Sequence, residues 1–457
     1  MRRNFLFLFE PTSIESFLKG SDKPIYSHDL NLMQLAQGAL ANKANVYIAS
    51  YTAQNVYYES RQYWPHTTIQ PCQTKPLEFD FIVSANHLAF RNSKRGYSKN
   101  VLVQAAVHLI ESPRMYFPAG IASYINVIQN AVDFEITQNM RMKEILFTFN
   151  QLLAGFNDPE RILISQLSPR DVESKLTTPE SIALRQKLNI ASDAKVIINA
   201  GGAWKWTQFN EFLLAFKKCF ETYPECSLFF IQPALTQRMN SDHDYYHVET
   251  KRILDSLPSN VRSRIYIGDD WQLSTDQLDS LLSIADYGLN LNLDSLEHWQ
   301  SYRVRTMEYV TFNLPIIMSQ GSFWDENAHK DAFIVTGHKI EEISQALLSI
   351  CNETPESYTK RVHAVTEIMK ELSLENQAQK TIEKLMQHNL IKKKTKVSPT
   401  SIWDFSSFGP KQTSHFGRFM KIIYFQATQN AFTHNILVIL GVRALYRNFK
   451  KLKINRL

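Results

Sequence analysis

The residues whose types and spacing are suited to chemistry lie in EHWQSYRVRTMEYVTFNLPII, residues 297–317. Arg303 and Arg305 stand early in a stretch whose Met307, Val310 and Leu314 recur at helical spacing, and Glu308 follows one turn behind Arg305. A helix N-terminus already carries partial positive charge and unsatisfied N–H groups, so cations there are unfavourable unless an anion lies opposite. The pattern expects a phosphate-like partner. AGGAWKWTQF, residues 200–209, points the same way. It follows an expected strand and precedes an expected helix, where Gly201 and Gly202 let backbone N–H groups approach a ligand and the helix dipole favours negative charge. G-x-G-x-x-G is absent, so no dinucleotide fingerprint is present. Taken alone, the motif reads equally well as a Gly-Gly turn with Trp204 and Trp206 as packing anchors.

These residues need a frame, and at 457 residues the chain is long enough for two to three domains. The first 170 residues or so alternate short apolar runs (NFLFLF, NVYIASY, DFIVSAN, NVLVQAAVHLI) with helical patterns, and AVDFEITQN, MRMKEILFTFNQLL and RILISQL continue them. Such alternation predicts α/β organisation around a mostly parallel sheet. The polar stretch SPRDVESKLTTPES then reads as an interdomain linker, and the alternation restarts with KVIINAGG and runs through SLFFIQ, RIYIGDD, LDSLLSIADYGLNLNL, LPIIMS and AFIVTG. Two Rossmann-like domains facing one another across a cleft is the economical architecture, with ligands at the carboxyl ends of the strands. The expected boundaries are 1–175, 176–390 with closing helices from 357, and a basic amphipathic extension, 391–457.

MRRNFLFLFEP has only five apolar residues between Asn4 and Glu10, too few for a signal-peptide core, and reads as a buried first strand. No apolar run reaches the roughly 18 residues of a membrane-spanning helix. Cys72, Cys219, Cys226 and Cys351 show no C-x-x-C spacing, which suggests neither a zinc ribbon nor a disulfide framework and fits a reducing cytoplasm.

GGAWKW, YIGDDW, ADYGLNLNLDSLEHWQSYRVRTMEY and LPIIMSQG, in that order, resemble one branch of the retaining, GT-B-fold glycosyltransferases of bacterial polysaccharide assembly. The resemblance covers residues 195–335 well and the first domain in outline. It implies that Glu308 hydrogen-bonds the nucleotide ribose, its two acceptor oxygens suiting vicinal hydroxyls. Arg305, on the same face, is placed to meet the diphosphate, bidentately if need be. Arg303 lies nearly opposite Arg305 on a helical wheel and can serve the same ligand only from an irregular first turn.

Glu297 is the candidate near the transferred sugar, although it stands eleven positions before Glu308 where the superfamily places a glutamate eight before, the position of Gln300. The superfamily's usual Arg and Lys phosphate ligands are missing; Lys205 is the nearby substitute, or a solvated lysine between two tryptophans. In the first domain, expected to bind the acceptor, His108 and Glu111 stand just beyond a strand and three apart, either contacting transferred sugar and acceptor or serving structure. SDHD at 241–244 contains the Asp-x-Asp by which a different glycosyltransferase fold chelates a metal–diphosphate, but it falls in a polar stretch read as a solvated loop. Cationic side chains and helix dipoles suffice for the leaving group, so no metal and no cofactor are expected.

The expected activity is transfer of a sugar from a nucleotide diphosphate sugar to a glycan or lipid-linked acceptor, with retention. A nucleotide-sugar epimerase and a non-catalytic glycan-binding scaffold are the alternatives. Thirteen Lys and Arg against Asp404 alone give residues 391–457 a charge of +12, which leaves the first 390 residues at −6 within a total of +6. Aromatic and aliphatic residues interleave with that charge, as in an interfacial helix on anionic lipid. A nucleic-acid partner or a soluble basic tail are the rival readings; no nucleic acid is expected, and the expected location is cytoplasmic, peripheral to the inner face of the cytoplasmic membrane.

Overall fold

The computed structural model describes residues 2–18, 27–50, 58–60, 69–71, 77–90, 98–104, 127–154, 158–170, 172, 176–203, 205–233, 241–268, 275–326, 328–388 and 395–397. They divide into two compact units, 1–165 with 381–457, and 166–380.

In the first unit NFLFLF forms β1 (Asn4–Phe9), a near-continuous apolar run because helices cover both faces of a parallel sheet. β2 (Asn45–Ser50) lies on one side of it, and β6 (Phe81–Ser84), β7 (Lys99–Gln104), β8 (Phe134–Thr137) and β9 (Ile162–Ile164) follow on the other, all parallel. β3 (Tyr58–Ser60) and β4 (Ile69–Pro71) extend the β2 edge antiparallel. Helices α1 (Pro11–Leu18), α2 (Ser27–Ala41) and α3 (Met140–Ala154) follow β1, precede β2 and follow β8. The acid Glu135 is fully buried in β8, where it accepts from Gln104 Nε2 at 2.5 Å and from Asn150 Nδ2. β5 (Leu77–Phe79) pairs antiparallel with β16 (Thr395–Val397). Residues 395–397 of the basic extension are therefore a strand, and 391–394 and 398–457, where a helix was expected, lie outside the described residues.

The second unit is a six-stranded parallel sheet in the order β12-β11-β10-β13-β14-β15. The strands are β10 (Lys195–Ile198), β11 (Leu228–Gln232), β12 (Ile265–Ile267), β13 (Tyr287–Asn290), β14 (Ile316–Ser319) and β15 (Phe333–Thr336). In order of appearance this is the Rossmann sequence 3-2-1-4-5-6. α4 (Thr178–Lys187) opens the unit on a capping box of Thr177 and Glu180, so the stretch read as a linker is structured from Thr177 onward. After β10 comes α5 (Phe209–Thr222), whose Phe209, Phe212, Leu213, Phe216 and Phe220 repeat at helical spacing and are buried. Phe212 packs against Phe230 of β11 with ring centroids 4.5 Å apart and the planes tilted by 50°, and each such ring contributes about 2–3 kcal/mol of burial.

α6 (Ser241–Ser256) and α7 (Ser259–Arg262) lie between β11 and β12, and α8 (Thr275–Ser283) precedes β13. The SDHD stretch read as a loop is thus the first turn of α6, a finding periodicity missed because that turn has no apolar face. α9 (Leu296–Gln300) and α10 (Val304–Thr311) precede β14, and α11 (Ile340–Cys351) and α12 (Pro355–Glu371) follow β15.

The cysteines depart from expectation. α11 packs into the same apolar cluster as α5, which brings Cys351 at its end to Cys226 ahead of β11. The two form a disulfide 125 residues apart in sequence, and Cys219 Sγ of α5 lies 3.7 Å from Cys226 Sγ. Spacing rules read local motifs, whereas this pairing is made by tertiary packing. Among the described residues no helix is long and apolar enough to cross a membrane.

Candidate functional site

β10 and β13 are neighbours, although β11 and β12 continue from β10 in the opposite direction. The strand order reverses here, and open α/β sheets hold ligands in the crevice beyond the carboxyl ends of the strands at such a point. Beyond β10 the chain reads Asn199-Ala200-Gly201-Gly202. The Asn199 amide donates to Gln232 Oε1 at 2.8 Å, and Gln232 Nε2 donates to the Gly201 carbonyl at 2.8 Å, which fixes the turn to the end of β11. Asn199 Oδ1 accepts from Arg305 Nη1 at 2.9 Å. A Cβ on Gly201 would stand 2.8 Å from Arg305 Cζ, so the guanidinium lies directly against a backbone that only glycine leaves open.

Arg305 reaches this position because α10 begins at Val304, and Arg305, Glu308 and Tyr309 share one face of it. Tyr309 crosses to the sheet: its hydroxyl donates to the Leu289 carbonyl at 2.8 Å and accepts from the Ala200 N–H at 2.9 Å. Burial pushes that hydroxyl up to about 12. Gly288 makes the crossing possible, since a Cβ there would meet the Tyr309 ring at 2.3 Å. Asn290 Nδ2 donates to Thr306 Oγ1 at 3.0 Å and ties β13 to the same helix.

The single helix expected over the opening stretch is instead two, α9 and α10, broken at residues 301–303. Arg303 is the N-cap of α10 at φ 57°, a left-handed conformation that costs a non-glycine residue about 1–2 kcal/mol. It therefore stands outside the helix and need not project opposite Arg305. Its charge is felt at His298 of α9, a buried imidazole that burial pushes down to about 4, with Arg303 and His338 adding to the effect. His298 is neutral at pH 7, and its Nε2 lies 3.0 Å from the Gln320 carbonyl, which can only accept, so Nε2 carries the proton. His338 Nδ1 lies 3.0 Å from the Asn292 carbonyl and 3.2 Å from Gln208 Oε1, linking the ends of β13 and β15 to the start of α5. Ser319 Oγ at the end of β14 donates to the same Gln208 oxygen at 3.2 Å.

Glu308 is not simply open to a ligand. Its Oε2 accepts from Arg170 Nε at 2.9 Å, while both Arg170 terminal nitrogens hold Asp279 of α8, Nη1 to Oδ2 at 2.7 Å. Burial works against the Arg170 charge, but hydrogen bonds and charge from Asp279 and Glu308 outweigh it and raise its pKa.

Gly201, Gly202 and Arg305 thus come together at the reversal of strand order, with Glu308 and Arg303 on or beside the same helix. The backbones of Lys205 and Glu297 lie in the described structure, in a short 3-10 turn and in α9, but their side chains lie outside it. His108 and Glu111 fall outside the described residues altogether, as do Asp269, Asp270 and Trp271 of YIGDDW. Sequence reading missed Asn199, Gln232, Asn290, Asn292, Ser319 and His338. Their common signal, amides, a hydroxyl and an imidazole just at or past the ends of apolar strands, was available in IINAGG, FFIQ, YGLNLN, IIMS and IVTGH. Arg170 and Asp279 gave no such signal.

No family model and no curated protein sequence matches the chain. Solved structures do. Anabaena HepE in complex with UDP and glucose superposes with a TM-score of 0.57 at 15% identity, covering 84% of this chain and 99% of HepE. An E. coli trehalose-6-phosphate protein bound with UDP-2-fluoro glucose gives 0.60 at 12% identity, covering 85% and 100%. A trehalose-6-phosphate synthase analysed for glycosyl transfer with retention gives 0.54 at 14%, covering 69% and 75%. The α/β fold of the chain is accordingly GT-B, with a Rossmann-like sheet in each unit.

Proposed function

We propose that this chain is a nucleotide-sugar-dependent glycosyltransferase that moves a sugar from a nucleoside diphosphate to a glycan or lipid-linked acceptor, with retention, in cell-surface polysaccharide biosynthesis. The observation that carries the reading is Arg305, held by Asn199 against the bare backbone of Gly201 at the point where the strand order reverses. A fixed guanidinium is suited to the negative charge that grows on a departing diphosphate, and being preorganised it need not reorient as the bond to the sugar breaks; the Gly201 N–H is itself given to the Asn199 carbonyl at 2.8 Å, so Arg305 carries this role. Glu308 takes the ribose, Gly202 the diphosphate with Gly201, and Arg303 and Lys205 add charge at the phosphates. Glu297 is assigned to the sugar, and His108 with Glu111 to the acceptor. No metal is assigned a part. HepE and the E. coli protein, which share the fold, hold UDP with glucose and UDP-2-fluoro glucose, and the likeness to a synthase that transfers with retention supports the stereochemistry.

The basic segment 391–457 is assigned to an anionic membrane surface, where a lipid-linked acceptor resides, with the body of the enzyme on the cytoplasmic side. The support is its charge of +12 and its interleaved aromatic residues. The decisive experiment is calorimetric titration of the full chain with UDP, GDP, dTDP and their sugars, followed by the same titration of Arg305→Ala. Binding to the parent protein with at least tenfold weakening in a folded Arg305→Ala supports the reading. Absence of binding to all three nucleotides overturns it.

A further inference from the structure

Arg170 belongs to no helix or strand; it stands four residues after Gln166, where the chain enters the second unit. It is nonetheless held on every side. Its two terminal nitrogens grip Asp279, its Nε donates to Glu308 Oε2 at 2.9 Å, its backbone N–H donates to Thr311 Oγ1 at 3.3 Å, and its guanidinium carbon lies 5.6 Å from the Phe312 ring centroid. The three charged side chains are 19%, 11% and 16% exposed, so the group sits at the rim of the site rather than in open water.

We infer that Arg170, fixed by Asp279, is a positioning residue that sets the plane of the Glu308 carboxylate for the ribose hydroxyls of the nucleotide. The inference rests on the nucleotide-sugar reading. A carboxylate has two oxygens and about four lone-pair sites, and one N–H from a rigid, planar donor takes one of them and fixes the orientation of the group. Asp279 serves two purposes. It occupies both terminal nitrogens, so Arg170 offers Glu308 its Nε and not a closed two-point pair, and it balances the charge of Arg170, so the guanidinium does not compete with Arg305 for the diphosphate. A purely structural ion pair would stabilise the unit without regard to the sugar of the nucleotide. A positioning pair must matter specifically for ribose.

The test measures affinities of UDP and GDP, each against its 2′-deoxy form, for the full chain and for Glu308→Gln, Arg170→Met and Asp279→Asn. Inorganic pyrophosphate reports the diphosphate contacts, and circular dichroism reports folding. The parent protein should prefer the ribonucleotide about tenfold. Glu308→Gln, Arg170→Met and Asp279→Asn should each bring that ratio to twofold or less with pyrophosphate affinity unchanged; if Arg170→Met does not fold, Asp279→Asn carries the comparison. A ratio lost in Glu308→Gln but kept in the Arg170 and Asp279 variants overturns the inference and leaves the nucleotide reading standing. A parent protein that binds the nucleotides without preferring ribose also overturns the inference, and one that binds neither nucleotide overturns both.

Discussion

Protonation of His298 should loosen the fold around the candidate site, and the size of the effect follows from its burial. The imidazole is 2% exposed and titrates near 4 in the folded protein, against about 6.5 in an unfolded chain. Between those values the unfolded state binds the extra proton, so stability falls as pH drops from about 6.5 through 4, and the contribution is fully present above 6.5. The whole shift corresponds to roughly 3 kcal/mol, of which about 2.5 kcal/mol is lost between pH 7.5 and 4.5. Other groups titrate in the same window, so the measurement is a difference. His298→Gln keeps a donor for the Gln320 carbonyl but cannot protonate. Urea unfolding of both proteins at half-unit steps from pH 7.5 to 4.5 should show the parent losing about 2.5 kcal/mol more than the variant, with a parallel decline in nucleotide binding as α9 and the adjoining Arg303 are disturbed. Parallel pH curves for the two proteins would refute the argument, because a neutral buried His298 cannot then be what acid attacks.

Gly201→Ala should fold, since the atom it meets is the end of a flexible side chain, but it pushes Arg305 off its seat and should weaken nucleotide binding about tenfold in calorimetry. Activity should survive EDTA at its starting level; full dependence on added manganese or magnesium would move the leaving-group chemistry from Arg305 to a metal. Reduction of the Cys226–Cys351 disulfide should destabilise the second unit by about 2–5 kcal/mol in denaturant titration, while Cys219, buried and pushed up to about 11, should resist iodoacetamide at pH 8 until the unit unfolds. A chain ending at His388 should keep nucleotide binding yet lose salt-sensitive co-sedimentation with anionic vesicles; equal sedimentation of both forms would remove the membrane assignment, and tail-dependent binding to nucleic acid alone would replace it.

What the sequence made legible has a physical pattern. β1, β10, β11 and β14 could be read because strands of a parallel sheet covered on both faces are continuous apolar runs, and α5 because its phenylalanines mark one face. The proximity of Gly201 and Arg305 was foreshadowed because each is costly without a compensating partner: a glycine pair at a strand end gives up side-chain packing, and cations at a helix start oppose the dipole. Arg170 shows the opposite case. Nothing in SPRDVESK is unfavourable where it stands, so the sequence raised no question that its pairing with Glu308 and Asp279 would answer.

The cysteine pairing and the break at Arg303 were hidden for different reasons. Cys226 and Cys351 are joined by the packing of α11 into the cluster around α5, a contact across 125 residues that no local spacing encodes. Arg303 was assigned to a helix because Met307, Val310 and Leu314 recur at helical spacing beyond it, yet at φ 57° it is the N-cap that precedes that helix. The break has a consequence for binding. With Arg303 outside the first turn, the N–H groups at the start of α10 and the guanidinium of Arg305 in that turn present their charge from one helix end, while Arg303 adds its own from the loop beside His298. Three positive features are then disposed around one turn of chain, held apart at the expense of a strained backbone. Such strain persists only where the surroundings over-determine it, and under the proposed function the charge of a bound diphosphate is one reason for it to be kept.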